Sequence, residues 1–423
     1  MTPQALDELR RGWLIILVAA IGLGCGLGSL PIYTLGAITK PLSDAFGWSR
    51  ADVQAIYTWM SVGMVVAAPA LGLVVDRIGV RRVTLWSLVG QSLGFAALGL
   101  LAGPLWSFYL IAFLTALVGV GTLPITWTRV IVDRFDAARG LALGLALAGT
   151  GLAATFLPSL TTWLLAQFGW RGAYVGLAGL PAFVALPLTY ALLQDREAPS
   201  ARQDSSSRAA SAQAPIAPDD VRAALRSRPF WVLAAAFFVV GACIAGLITH
   251  NIPLLTDRGW SAMAAARAAG VVGLSVIAGR IITGVLVDRY WAPAVACATL
   301  MLPAVSCVLL IVPVGGVTGA VVAGVLLGVA AGAEFDLLAY FVSRYFGTRH
   351  YGVLYACQYA VFRVALGAGP LLFGFAFDRR GSYDAVLLVA AVLLPLGSLL
   401  LLTLGAYPPR TLVRAPGSTL EPD

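Results

Sequence analysis

Residues 72–82 read Gly72-Leu-Val-Val-Asp76-Arg77-Ile-Gly79-Val-Arg81-Arg82, and 212 positions later residues 284–289 read Gly284-Val-Leu-Val-Asp288-Arg289. In both, an apolar run ends in Asp-Arg, four residues after a glycine. A second pair sits at the same spacing: Gly47-Trp48-Ser49 and Gly259-Trp260-Ser261. Two matches at one offset point to a duplicated unit, a common build for proteins that carry solutes across membranes.

Composition says where such a unit can live. Of 423 residues, 59% are hydrophobic and 11% charged, and mean hydropathy is +0.88. Soluble proteins hold roughly 45–50% apolar and about 25% charged residues, so a conventional soluble enzyme is excluded. Apolar stretches lie near 13–37, 52–75, 83–103, 106–131, 140–165 and 172–193, then near 230–254, 262–287, 293–312, 317–342, 351–376 and 384–406. Each is near the roughly 20 residues that cross a bilayer. The expected fold is an all-α polytopic membrane protein of twelve transmembrane helices in two pseudo-symmetric six-helix halves, 1–193 and 229–423. Between them, 194–228 is polar, with Ser205–Ser207, Pro215, Pro218 and Asp219–Asp220. It lacks the apolar surface to order itself and is read as a cytoplasmic linker.

The net charge of +8 does not signal nucleic-acid binding, because the basic residues sort by side. With the N-terminus inside, 18 of the 28 fall in cytoplasmic segments, 7 outside and 3 within helices. The positive-inside rule then places both termini in the cytoplasm, with the inner (plasma) membrane as the expected location. Cys25, Cys243, Cys297, Cys307 and Cys357 all lie in apolar runs without C-x-x-C spacing, so neither a disulfide framework nor a metal site is expected. No G-x-x-x-x-G-K-[ST] motif is present, so ATP is not a direct energy source. The Gly22, Gly24, Gly26, Gly28 run opens no βαβ unit and reads as close helix packing. No cofactor and no obligate protein partner are expected.

Charges inside apolar spans are costly and normally face a cavity or a partner. Arg280 stands eight residues before Asp288, about 12 Å from the end of its helix. Arg363 stands twelve residues beyond Tyr351, about 18 Å deep. Glu334 and Asp336 precede Arg344 by ten and eight residues. Tyr355, Tyr359 and Arg363 share one face at i, i+4 and i+8, as do Asp336, Tyr340 and Ser343 at i, i+4 and i+7. Asp336 is therefore read toward the cavity. Glu334, on the other face, is read as holding a neighbouring helix through a hydrogen bond or ion pair, and Arg363 as partly paired. Arg129, one turn before Asp133, reads as a gate or salt bridge, and the lone His250 as a helix-end hydrogen bonder. Thr122, Pro124 and Thr126 suit either a kink in the fourth helix or plain packing.

The Gly72–Arg82 segment closely resembles the signature loop of the major facilitator superfamily, although Val80 replaces the usual basic residue. The resemblance implies alternating access, with Gly72, Asp76, Arg77, Arg81 and the repeat pair Asp288–Arg289 forming a cytoplasmic gate that closes in the outward-open state. Arg280-x-x-x-Gly284 and the segment Arg134–Gly151 resemble the monocarboxylate-porter branch, which implies that Arg280 holds a substrate carboxylate. Arg363 matches the second cation of the oxalate–formate antiporter branch. The animal porters' acidic first-helix signature, their lysine after proline and their eighth-helix aspartate are absent here, where Arg11-Gly12-Trp13, Ile32 and Val276 stand. A proton would have to use other groups, Asp336 first and Glu334 second. The expectation is proton-coupled symport of a small organic carboxylate, with Arg280, Arg363, Tyr359 and Tyr355 in the binding site. Anion exchange of the oxalate–formate type, and a drug or neutral-solute facilitator of the same fold, remain open.

Overall fold

Hydrocarbon offers no partner for backbone N–H and C=O groups, so a chain this apolar is driven to helices that satisfy themselves. The computed structural model describes residues 3–100, 103–193, 218–312, 316–347, 351–405 and 407, and among these the chain is helices and turns without a strand. Eleven stretches are long and apolar enough to cross a membrane. One of them, Arg139–Leu192, has 54 residues, about 80 Å at 1.5 Å per residue, and cannot be one span. It breaks at Gly169, which takes φ 65° and ψ −175°, a backbone conformation open only to glycine. Twelve spans result.

The first span, α1, is Pro3–Cys25 (α1a) and Leu30–Phe46 (α1b). Then come α2 (Arg50–Ile78), α3 (Val80–Leu100), and α4 (Leu105–Gly119 and Pro124–Val132). Residues 139–168 are α5 and 170–192 are α6. The C-terminal six are α7 (Arg228–Asp257), α8 (Ala262–Arg289), α9 (Ala292–Leu300 and Leu302–Ile311), α10 (Gly316–Phe346), α11 (Tyr351–Arg380) and α12 (Asp384–Leu400).

The repeat read from sequence has matching local geometry. Gly47 and Gly259 both take positive φ, 70° and 85°. Ser49 and Ser261 then cap α2 and α8, their hydroxyls accepting from the backbone N–H of Asp52 and Ala264.

Two expectations are corrected, and the kink left open for the fourth helix is present. The first span is not one helix over 13–37 but is kinked at 26–29. Its register against α5 continues through the kink, Ala20 meeting Gly149 and Tyr33 lying beside Pro158, so α1a and α1b are one crossing. Gln91 donates to the Cys25 carbonyl at 2.7 Å, and the Leu27 N–H donates to Thr122 Oγ1 at 3.0 Å, so these two backbone groups at the kink are satisfied. α4 breaks at Val120–Thr122 ahead of Pro124, which cannot donate to the helix ladder. Of the linker, 194–217 lies outside the described residues, but Pro218–Arg226 is a helix. Val221, Ala224 and Leu225 pack it onto Phe230, Val342 and Leu354, so a one-sided apolar stripe orders what its polar composition alone would not.

Glycines set how closely the spans approach. A Cβ on Gly149 would collide with the Ala20 backbone of α1, whereas one on Gly144, a turn earlier, meets nothing within 4 Å. Gly149→Leu is expected to cost about 1–3 kcal/mol through overpacking and to lower the melting temperature in detergent. Gly144→Leu should melt with the parent protein, and equal melting of the two variants would contradict this packing.

Candidate functional site

The two sets of six helices meet tightly at one end of the molecule and part at the other. On the α2–α11 seam, Gly374 abuts the Arg50–Ala51 backbone, and Gly367 abuts Thr58 and Ser61. Thr58 also donates to the Gly367 carbonyl at 2.7 Å. On the α5–α8 seam, Gly270 and Gly273 abut Thr155, and Gly151 abuts Ile277. Gly36 of α1b lies against Thr249 of α7. Toward the other end, a Cβ on Gly140, Gly144, Gly284 or Gly352 would meet no described residue within 4 Å. The cleft therefore closes at the Arg50 end and opens at the Arg77–Arg289 end.

Both candidate arginines stand where the seams part. Arg280 is one turn beyond Ile277, which Gly151 of α5 abuts. Its Nε lies 3.2 Å from the Asp336 carboxylate of α10, with the side chains 12% and 39% exposed. A carboxylate this exposed halfway along a membrane helix has to face water, because lipid would exclude the charge. The Arg280 Nε–H is not aligned for a hydrogen bond, and its Nη1 is buried without a partner. The fork is thus held by charge attraction and keeps unused donors.

Arg363 is 2% exposed. Its Nη2 meets Met64 Sδ of α2, and its Nε has no partner. The expectation of a partly paired Arg363 is corrected: among the described residues no carboxylate pairs with it. Below it, Tyr351, Tyr355 and Tyr359 stack in a ladder with ring centroids 5.4 and 5.9 Å apart. Phe335 of α10 lies 6.1 Å from Tyr359. The ladder leads from the open end to Arg363.

Glu334 is 4% exposed and its Oε2 has no hydrogen-bond partner. The expected tie to a neighbouring helix is absent among the described residues. Helical spacing separates Glu334 from Asp336 by face, but it does not supply a donor on that face. Glu334 and Arg280 are both within electrostatic range of Tyr33 in α1b. Tyr57, 1% exposed with an unpartnered hydroxyl, is in range of Tyr33 and Tyr359. Tyr33, Tyr57, Ser61 and Met64 were not singled out from sequence. Tyr57, Ser61 and Met64 fall at i, i+4 and i+7 on α2, a stripe the sequence does contain.

The expected gating residues lie at the open end. Arg77, Asp288 and Arg289 are exposed; the side chains of Gly72 and Asp76 lie outside the described residues. Arg81 donates to the Tyr190 carbonyl at 2.8 Å, tying α3 to α6 within the N-terminal six. Arg129 occupies the last turn of Pro124–Val132, beside Asp133. His250 is buried near the closed end, between Tyr383 and the Pro370 carbonyl.

Residues 12–370 match the family model of the Major Facilitator Superfamily. The chain is similar to Monocarboxylate transporter 11 of Homo sapiens, 28% identical over 94% of this chain and 84% of that protein. It is similar to Monocarboxylate transporter 13 of Rattus norvegicus, 28% identical over 93% and 89%. Among solved structures it resembles a bacterial homolog of the human lysosomal transporter Spinster, in an inward-facing and unoccupied conformation. There the TM-score is 0.64 at 16% identity, covering 95% of this chain and 98% of that one.

The exposure of Asp336 screens its attraction to Arg280, so the pair is worth about 1 kcal/mol or less to folding. Asp336→Asn is expected to leave the melting temperature nearly unchanged. Glu334→Gln removes a buried acid that no described cation pairs, and should melt at the parent temperature or above it. A steep loss of stability in either variant, read by thermal shift in detergent, would contradict these assignments.

Proposed function

The chain belongs to the Major Facilitator Superfamily, and on that premise we propose that it moves a small organic carboxylate across the membrane by alternating access. It is a multi-pass membrane transporter and not an enzyme. The observation that carries the carboxylate reading is the Arg280–Asp336 pair at the head of the cleft. A guanidinium is always charged and offers a planar fork matched to a carboxylate. The unused Nη1 donor of Arg280 can take a substrate oxygen, and Asp336 then becomes its competitor for the same cation.

That competition supplies a coupling device. Arg280 and Arg363 carry two positive charges; ionised Asp336 and Glu334 carry two negative ones. A monocarboxylate would leave the site with an uncompensated negative charge in a low-dielectric environment. Protonation of Asp336 releases Arg280 and restores neutrality, so proton and anion favour each other's binding, and the coupling is reciprocal. Tyr355, Tyr359, Tyr33 and Tyr57 offer hydroxyls around the same space. The unpaired Arg363 favours a second reading, exchange of one anion for another, in which this cation takes the place of the proton.

We assign residues 1–193 and 229–423 to the two moving bodies and 194–228 to the connection between them. The arginine bias supports a cytoplasmic position for the open end and both termini, and we assign the protein to the plasma membrane. Asp76, with Arg77, Arg81, Arg129 and the Asp288–Arg289 pair, then closes this end in the outward-open state. The similarity to monocarboxylate transporters supports the substrate class, and the two arginines supply its chemistry.

Arg280→Lys keeps the charge and loses the fork. It should weaken carboxylate binding by about 1–3 kcal/mol, the scale of a charge-assisted hydrogen bond, measured by titration calorimetry on purified protein. Wild-type affinity in both Arg280→Lys and Arg280→Gln would end the carboxylate reading. Asp336→Asn should abolish the rise of anion affinity at acid pH while preserving counterflow exchange. An unaltered pH profile would favour the exchanger. Asp76→Asn should move spin-label distances across the open end toward the inward-facing state, with little change in affinity; unmoved distances would remove Asp76 from the gate.

A further inference from the structure

At the closed end one residue of the N-terminal six grips three elements of the C-terminal six. Arg50 begins α2, and its side chain is only 11% exposed. Its Nη1 and Nη2 donate to the two carboxylate oxygens of Asp257, at the end of α7, at 2.6 and 2.8 Å. The guanidinium lies 3.6 Å from the ring centroid of Phe377 in α11. Nη1 also donates to the hydroxyl of Tyr383, just before α12, at 2.6 Å. The α2 backbone is held from across the seam as well: the N–H groups of Arg50 and Ala51 donate to the Asp378 carboxylate at 2.9 and 2.8 Å. An acidic side chain at a helix N-terminus is stabilised by the free N–H groups there, and here that side chain belongs to the other six helices.

The chain of hydrogen bonds runs inward from Arg50 with a single direction. Arginine can only donate and a carbonyl can only accept. Arg50 donates to Tyr383 Oη, which donates to His250 Nδ1 at 2.8 Å. His250 Nε2–H donates to the Pro370 carbonyl at 2.9 Å. This order uses neutral His250 with its proton on Nε2 and leaves no member of the chain unsatisfied. It carries the grip of Arg50 to Pro370, inside α11, seven residues from Arg363.

We propose that Arg50, Asp257, Asp378, Tyr383 and His250 form a latch that holds this end closed and has to release as a unit for the end to open. Releasing Asp257 frees the guanidinium from Phe377 and Tyr383, and the same displacement uncaps α2 from Asp378. The α5–α8 seam, packed through Gly151, Gly270 and Gly273, lacks ion pairs among the described residues. Opening is therefore governed from the α2–α11 side. The latch rests on the alternating-access reading and is independent of the substrate's chemistry.

The test is a pair of spin labels at exposed Gln167 and Arg380, one on each six-helix set at the closed end, in full-length protein reconstituted without substrate. Arg50→Gln and Asp257→Asn should each raise the share of long distances about tenfold, the effect of losing one charge-assisted contact from a two-state equilibrium. Asp378→Asn should shift it the same way. Arg50→Asp combined with Asp257→Arg should recover part of the short-distance share lost in Arg50→Asp alone, because the ion pair re-forms while the Phe377 and Tyr383 contacts do not. Unchanged distances in the single variants would overturn the latch. So would lengthening that the charge-swapped pair fails to reverse even in part, because the effect would then be loss of packing. The readout needs no transport, so failure of the carboxylate reading leaves it intact, and its own failure leaves that reading untouched.

Discussion

A charge carried to the middle of a bilayer has to meet an opposite charge, a hydrogen-bonding partner or water, and this requirement organises the protein around Arg280. Asp336 answers it across the α8–α10 contact, and the exposure of Asp336 means that water reaches the pair. The cleft follows from that need. Were the seams sealed along their full length, Arg280 and Asp336 would be a dry ion pair whose desolvation could exceed its attraction. The exposure of Asp336 keeps the pair wet, and Arg280 retains an unpartnered Nη1.

The seams differ in how they hold. Small residues let backbones approach along α5–α8 and α1–α7, giving contact without direction. The α2–α11 seam adds oriented groups: a bidentate guanidinium, a cap on a foreign helix and a hydrogen-bond chain of one sense. Glycine contacts tolerate sliding, because dispersion varies gradually as surfaces shift. Charge-assisted hydrogen bonds are lost within a fraction of an ångström of misalignment. The two glycine-packed seams set how near the helix sets lie, and the keyed α2–α11 seam fixes their register at the closed end.

Membership of the Major Facilitator Superfamily places this chain among transporters, and its likeness to monocarboxylate transporters spans nearly the whole length. The apex has its own composition. Glu334 is buried with an unpartnered oxygen, and Arg363 faces a thioether with no carboxylate pairing it among the described residues. Buried polar groups without partners are costly.

The duplicated unit and the membrane were legible at once in Gly72–Arg77, Gly284–Arg289 and the twelve apolar runs, because hydropathy and spacing are properties of the chain itself. The depth of Arg280, Arg363, Glu334 and Asp336 was legible too, since rise per residue converts position into depth. So was the division of Glu334 from Asp336 by helix face. What helical periodicity could not state is which helices are neighbours and where they separate. Asp336 meeting Arg280, Glu334 finding no donor, Arg363 pressed on Met64, and Arg50 reaching Asp257 at 207 positions' distance all depend on packing between spans far apart in sequence. Tyr33 and Tyr57 were missed for the same reason, as a hydroxyl on an apolar helix looks alike whether it faces a charge or a methyl group. The sequence by itself determined that this chain crosses a membrane as a repeated set of helices, and at what depth its charges lie, because those depend on local composition and pitch. Only the tertiary structure decided which charges are answered and which end is shut, because pairing depends on distances between helices that the covalent chain leaves free.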